Sequence, residues 1–148
     1  EMKRIVLALS LIALASCATP SGAPSVPTGD DTIPSTPVDL GEWRTANEAA
    51  TLSAFQDSVS SRYGQGVRIS AAAADLGRNE FTCGAAPPRD AGRGDPPAQV
   101  CRRTVTASGC THTWQVHLFD TSGDGRLART RGLYDRRCGG DGLLGGPG

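Results

Sequence analysis

Cysteine and histidine are the side chains of this sequence best suited to chemistry, and the chain contains five cysteines and two histidines. Cys83, Cys101, Cys110 and Cys138 follow one another at separations of 18, 9 and 28 positions. Thioredoxin-like redox sites and many zinc sites use Cys-x-x-Cys pairs, and none of these separations gives that pattern. We therefore expect neither a redox-active dithiol nor a cysteine-bound metal ion.

The two histidines are too isolated to predict a catalytic or metal site. His112 and His117 are five positions apart. On a β-strand, residues an odd number of positions apart point to opposite faces, so the two rings should not share a metal ion. A histidine that activates a serine needs a carboxylate partner, and the chain has no Gly-x-Ser-x-Gly motif. The sequence thus predicts no catalytic residues, no metal and no cofactor.

An aspartate-rich and glycine-rich segment copies the first half of a calcium-binding loop. Asp120, Ser122 and Asp124, followed by Gly125, have the spacing of the first oxygen ligands of such a loop. The position that should supply a bidentate glutamate is Arg131, whose positive charge opposes cation binding. Because alternating apolar runs flank the segment, a compact hairpin turn is the favoured interpretation.

Near the N-terminus, Lys3 and Arg4 precede an apolar run at residues 5–14. This pattern is typical of a secretory signal peptide, and the run is shorter than the roughly 20 residues that span a bilayer. The sequence Leu14-Ala15-Ser16-Cys17 resembles the lipobox of bacterial lipoproteins, in which the cysteine is lipidated and becomes the first mature residue. The resemblance implies a lipid anchor on Cys17. Because Ala18 is not the aspartate of inner-membrane retention, it also implies the outer membrane, with the domain facing the periplasm.

Composition divides the chain into four parts. Residues 1–16 form the predicted signal peptide, and residues 17–40, rich in Pro, Ser and Thr, have too little apolar bulk to fold, so they predict a disordered tether. Residues 41–138 are long enough for one small domain, and the Gly-rich residues 139–148 predict a flexible tail.

Charge is unevenly distributed over the mature chain. Residues 17–76 contain three arginines and seven acids, a net charge of −4, whereas residues 77–148 contain ten arginines and seven acids, a net charge of +3. The sum is close to neutral and gives no electrostatic reason to expect a nucleic-acid partner. The arginines of the second half either form a basic binding face or only solvate the exposed side of a sheet.

Helical periodicity covers the first part of the predicted domain. A helix over residues 45–63 is indicated by apolar residues three or four positions apart, which are Leu52, Phe55, Val59 and Tyr63. Thr45 and Glu48 match a capping box at its start, and Gly64 stands where a left-handed residue would end it. A second helix is predicted over residues 70–76, with Gly77 as its terminator.

From residue 79 onward, apolar residues alternate and turn residues separate the runs, which predicts antiparallel strands. The predicted strands cover residues 80–83, 100–106, 113–119 and 127–134. Trp114, Val116 and Leu118 should face the helices, and the residues between them should face outward. The sequence thus predicts an α+β fold, in which two helices pack on a three- to four-stranded antiparallel meander that disulfides staple.

The strand order also predicts a disulfide pairing. Once Cys17 carries lipid, four cysteines remain, and the compartment of an exported chain is oxidising, so two disulfides are expected. In a meander the end of the first strand lies near the start of the second, which pairs Cys83 with Cys101. The third and fourth strands form a hairpin, which pairs Cys110 with Cys138.

This order of elements, in a lipidated chain with a Pro/Ser tether and a strand around Trp114, resembles the small SmpA/OmlA-like lipoprotein of the outer-membrane barrel-assembly machinery over about residues 45–134. Residues suited to chemistry are few and isolated, which favours a non-catalytic module that binds an envelope protein or the membrane surface. The alternative is a small periplasmic ligand-binding or enzymatic domain. A flat or basic sheet face would favour the first class, and a pocket with aromatic and titratable groups the second.

The lipobox generates a direct prediction. In Cys17→Ser the nucleophilic thiol is lost, so lipidation and processing should be blocked. Mass spectrometry of the unsubstituted protein from membrane fractions should show a chain that begins at a lipidated Cys17. An intact N-terminus without lipid would contradict the prediction.

Overall fold

The computed structural model describes residues 33–87, 94–120 and 123–139, so the predicted signal peptide, Cys17 and most of the tether and tail lie outside the described residues. Two helices precede four strands, and their bounds are α1 (Glu48–Arg62), α2 (Ile69–Arg78), β1 (Thr82–Ala85), β2 (Gln99–Ala107), β3 (Cys110–Phe119) and β4 (Arg129–Cys138). The strands form one antiparallel sheet in the order β1-β2-β3-β4. The predicted α+β class and the meander are confirmed.

Helix α1 lies where the periodicity predicts it and ends within one residue of the predicted end, but its predicted start and both predicted caps are wrong. The side chain of Asn47 accepts a hydrogen bond from the Ala50 N–H at 2.8 Å, so Asn47 is the N-cap. Thr45 lies in the preceding turn, where its N–H donates to the Glu42 carbonyl. The helix ends at Arg62, Tyr63 is its C-cap, and Gly64 does not adopt a left-handed conformation.

Helix α2 runs past its predicted terminator and ends with a left-handed glutamate. Gly77 is helical, and Glu80 has a φ of 68°. The Glu80 N–H donates to the Gly77 carbonyl at 3.1 Å, and the Phe81 N–H donates to the Leu76 carbonyl at 3.0 Å. These bonds form a Schellman motif, in which glycine is the usual left-handed residue. Burial of the Phe81 ring offsets the strain at Glu80, which is about 1–2 kcal/mol.

A separate structural feature fixes the register of each of the three strand pairings. The structure contains the Cys83–Cys101 and Cys110–Cys138 disulfides, which is the pairing that the strand order predicts. Both join residues directly opposite each other, the first between β1 and β2 and the second between β3 and β4. Strands β2 and β3 meet at the two-residue turn Ser108-Gly109, and both turn residues have positive φ, as a type I′ hairpin turn requires.

The core lies between the helices and one face of the sheet, which we call the inner face. Trp114, Val116 and Leu118 of β3 are fully buried in one cluster with Phe55 and Val59 of α1, as the two periodicities predict. Leu52 is only partly buried, because the buried stripe of α1 is centred on residues 51, 55 and 59, four positions apart. Other members of this core are Val67, Ile69, Ala72, Leu76, Phe81 and Leu127.

The connection between β3 and β4 is not the compact hairpin that the sequence predicts. Leu127, predicted to begin the fourth strand, lies in the connection and is buried. Its N–H donates to the Val67 carbonyl at 2.7 Å, and its carbonyl accepts from the Gly66 N–H at 2.8 Å. These backbone hydrogen bonds join the connection to the segment between α1 and α2. They hold Leu127 in its buried position.

The folded unit begins earlier than predicted, because residues 33–40 pack against the domain. Val38 is buried, and its N–H donates to Asn79 Oδ1 at 2.9 Å. The Trp114 indole N–H donates to the Leu40 carbonyl at 3.1 Å. The tether predicted over residues 17–40 is therefore too long at its C-terminal end, because backbone groups of residues 33–40 satisfy buried polar partners that composition does not record.

A buried ion pair joins the two helices to this segment. Arg62 Nε donates to Asp75 Oδ2 at 2.7 Å, and both side chains are less than one-tenth exposed. The Tyr63 hydroxyl donates to the same oxygen at 2.6 Å. Arg62 Nη2 also donates to the carbonyl oxygens of Pro34 and Thr36. Burial raises the pKa of the Tyr63 hydroxyl, and its bond to Asp75 raises it further.

Asp75 is charged in the folded domain. Burial alone would raise the pKa of its carboxyl, but the hydrogen bonds from Arg62 and Tyr63, together with the charge of Arg62, hold that pKa below its ordinary value. A depressed carboxyl pKa gives stability that is complete above the unfolded-state pKa near 3.8 and is lost as the pH falls through the folded-state pKa.

Removing this carboxylate should destabilise the domain severely. Asp75→Asn leaves the Arg62 charge buried without its partner, which should cost about 3–5 kcal/mol of unfolding free energy in denaturant titrations. Asp57→Asn, an exposed change of the same charge on α1, should stay within about 0.5 kcal/mol of the unsubstituted protein. If Asp75→Asn does not fold, Tyr63→Phe tests the same network with an expected loss of about 1–3 kcal/mol. Stability of Asp75→Asn equal to that of Asp57→Asn would contradict the role of the pair.

Candidate functional site

One face of the sheet carries no helix in the described part of the chain. Helix α1 packs on β4, and α2 packs on β1 and β2, all from the inner side. Side chains alternate along the strands, so the remaining residues form an outer face. Its members from the three long strands are Val100, Arg102, Thr104, Thr106, Thr111, Thr113, Gln115, His117, Phe119, Arg129, Arg131, Leu133, Asp135 and Arg137.

The outer face is polar and positively charged. It contains four arginines and one aspartate, and the aspartate, Asp135, forms an exposed ion pair with Arg137 at 3.0 Å. Arg102 and Arg131 are exposed and form no ion pair within residues 33–87, 94–120 and 123–139. Four threonines lie at the end of this face that is remote from Phe119. The hydroxyl oxygens of Thr104 and Thr113 are 3.5 Å apart. The face can therefore offer positive charges and hydroxyl groups to a partner.

One end of the outer face is covered. Phe119 and His117 point outward, as predicted, yet both are buried. The guanidinium of Arg129 lies 3.6 Å from the centre of the Phe119 ring. Pro87 and Pro97 belong to the connection between β1 and β2, and both line a small cavity with His117. The sequence misses this covering because it joins residues that are far apart in the chain.

The inner face contains an aromatic cluster beyond the region that the helices cover. His112 Nδ1 lies 2.7 Å from the Tyr134 hydroxyl. Trp43 makes edge contacts with His112 and Trp114, with ring centres 4.6 and 5.4 Å apart. Burial lowers the pKa of His112 below its ordinary value, and the positive charges of Arg136 and Arg44 lower it further. His112 is therefore held as a neutral ring near neutral pH.

A cavity of about 300 Å³ opens beside this cluster, lined by Trp43, Arg44, His112 and Arg136 among others. Trp43 and the two arginines belong to no motif in the sequence. The strand register brings Arg136 directly opposite His112 on the same face. Arg44 lies over the Trp43 ring at 4.1 Å. A correct register would have revealed the first contact, whereas no sequence pattern marks the second.

A larger cavity, of about 530 Å³, lies between residues 33–37 and α2. Its charged lining residues are Arg68, Asp75 and Arg78, and the Asp75 carboxylate forms ion pairs with Arg78 and with Arg62. The cavity is a consequence of the way the N-terminal segment is held. It therefore offers a ligand less charge than the cavity beside His112 does.

The two histidines lie on opposite faces of β3, as predicted, and do not share a site. His112 has a tyrosine hydroxyl as its Nδ1 partner, which is not the carboxylate of a catalytic triad. No group of three or more His, Cys, Asp or Glu side chains suited to a metal ion occurs within the described ranges.

The calcium-like segment uses its oxygens for its own backbone. Asp120 accepts hydrogen bonds from the N–H groups of Gly123 and Gly125, both at 2.7 Å, and Asp124 accepts one from Arg126 N–H. Both Asp120 carboxylate oxygens thus hold the turn. Ser122 lies outside the described residues.

No family model, no curated protein and no solved structure matches this chain. None of the helices in the three described ranges is long and apolar enough to cross a membrane. The features of this chain that bear on its function are therefore the outer face, the cavity beside His112 and the N-terminal pattern of the sequence.

The lowered pKa of His112 predicts a pH dependence of stability. The unfolded chain binds a proton at His112 near pH 6.5, and the folded domain binds it only at lower pH, so unfolding free energy should fall as the pH drops below 6.5. His112→Gln should reduce this slope, relative to the unsubstituted protein, in denaturant titrations between about pH 7 and pH 5. An unchanged slope in His112→Gln would refute the assignment.

Proposed function

We propose that this chain is a lipoprotein, anchored to the outer membrane through Cys17, whose domain is a non-catalytic module that binds an acidic partner in the cell envelope. The lipobox and the apolar run before it support export and anchoring. Residues 18–32, rich in Pro, Ser and Thr, supply a tether that separates the domain from the headgroups.

The observation that carries the binding proposal is the basic outer face, which no described helix covers. Strands β2, β3 and β4 contain nine or ten residues each, so the face extends roughly 30 Å along the strands. Its arginines outnumber its single aspartate, and Arg102 and Arg131 remain without carboxylate partners among the described residues. Guanidinium groups bind carboxylates and phosphates in a bidentate geometry, so an acidic surface is the matching partner.

The face is also rigid before it binds. Two disulfides and a tight turn fix the strands beneath it, so its arginines and threonines lose little backbone freedom on binding. Preorganisation of this kind favours affinity because less entropy is lost. Chemistry would need converging titratable groups, and the outer face presents one arginine on β2 and three along β4.

A second function has one observation in its favour. The cavity beside His112 combines an aromatic wall, a histidine and two cations, which are features of small ligand sites. A ligand-binding domain is therefore the alternative, and it uses the inner face and not the outer one.

The binding proposal can be tested by photo-crosslinking of the lipidated protein in bacterial envelopes. A photoreactive residue at Thr104, exposed on β2 at the threonine end of the outer face, should form adducts with an envelope component. The same residue at Ser61, exposed on α1, should not. Arg102→Gln combined with Arg131→Gln should remove most adducts, and higher ionic strength should weaken them.

A charge-matched control separates the face from net charge. Ala49→Glu combined with Gln65→Glu makes the same net change at exposed positions away from the outer face, and it should leave the Thr104 adducts unchanged. Adducts that survive in the double-arginine variant, or that form equally from Ser61, would overturn the proposal.

A further inference from the structure

The cavity beside His112 is positively charged on several sides. Arg136 lies opposite His112 across the β3–β4 pairing, and Arg44 reaches the cavity from the segment before α1. Both cations are close enough to His112 to lower the pKa of its ring. No carboxylate lines the cavity, and neither arginine forms an ion pair in the described part of the chain.

Nearby acids do not neutralise this charge. The negative charge of Glu48 on α1 contributes to raising the pKa of the Tyr134 hydroxyl, but Glu48 does not line the cavity. Asp135 neighbours Arg136 in sequence, but it belongs to the outer face and is paired with Arg137. Two guanidinium groups thus share one cavity without an anion from the protein, an arrangement that a bound anion would stabilise.

His112 adds a third nitrogen donor. Its Nδ1 is engaged by the Tyr134 hydroxyl, which leaves Nε2 as the ring nitrogen available to a ligand. When the hydroxyl donates to Nδ1, the neutral ring carries its proton on Nε2 and can donate from there. The edge contact with Trp43 holds the ring in place.

We propose that this cavity is a binding site for a phosphate group, which Arg44, Arg136 and His112 Nε2 hold together. Donors that approach from different elements suit a tetrahedral oxyanion, which accepts hydrogen bonds in several directions. The cavity volume, about 300 Å³, exceeds that of one phosphate ion, so the phosphate is carried on a small organic group or on the headgroup of a lipid.

The test uses the full chain with its disulfides formed and follows the ring C–H signals of its two histidines by NMR. His117→Gln identifies which signals belong to His112. Inorganic phosphate should shift the His112 signals saturably, and chloride at equal ionic strength should not. Arg44→Gln combined with Arg136→Gln should weaken phosphate binding by roughly tenfold or more. The matched pair Arg102→Gln and Arg131→Gln, on the opposite face, should leave it unchanged.

Several outcomes would overturn the site. These are His112 signals that phosphate does not move, equal affinity in the Arg44/Arg136 variant, and equal weakening in both arginine pairs. If the double variant does not fold, Arg44→Gln alone decides, because Arg44 is exposed. Glycerol phosphate and phosphatidylglycerol vesicles then separate the two sources, since only a headgroup site responds to the vesicles more strongly than to the soluble ester. Because the outer-face arginines are the control, failure of this site leaves the proposed envelope-binding face untouched.

Discussion

The rest of this structure depends on the buried pair between Arg62 and Asp75. Two charges removed from water are tolerated only when every donor and acceptor finds a partner, and here the partners come from α1, α2 and residues 33–40. The pair therefore has a single geometry in which it is satisfied. That geometry places both helices and the N-terminal segment relative to one another before any apolar packing is considered.

The consequences of this pair reach the cavity beside His112. The segment that Arg62 holds continues to Leu40, whose carbonyl accepts the Trp114 indole N–H. Trp43 follows directly and packs against His112, and Arg44 comes with it. One wall of the cavity is thus built by a segment with little apolar bulk of its own. The ion pair thus helps to position Trp43 and Arg44 beside His112 through the backbone of the segment that it holds.

Much of the fold could be predicted from the sequence, because helix and strand periodicities are local signals. The spacing of Phe55 and Val59 and the alternation around Trp114 are enough to predict the meander and the disulfide pairing. Residues 33–40 were missed because their contribution is mainly backbone hydrogen bonding, which composition does not record. The His112 cavity was missed because the contact with Arg136 depends on register and the contact with Arg44 depends on the position of a non-periodic segment.

The features that fix the strand registers have a consequence for how this sequence can change. A one-residue slip in a sheet exchanges its two faces, and most sheets resist slipping through the side chains that they bury. Here a disulfide between inner-face cysteines fixes the register of the β1–β2 pairing and another fixes that of β3–β4. The Ser108-Gly109 turn fixes the register of β2–β3. The side chains of the outer face are therefore not needed to keep the strands aligned. Its residues are free to diverge toward a new partner while the fold beneath them stays the same.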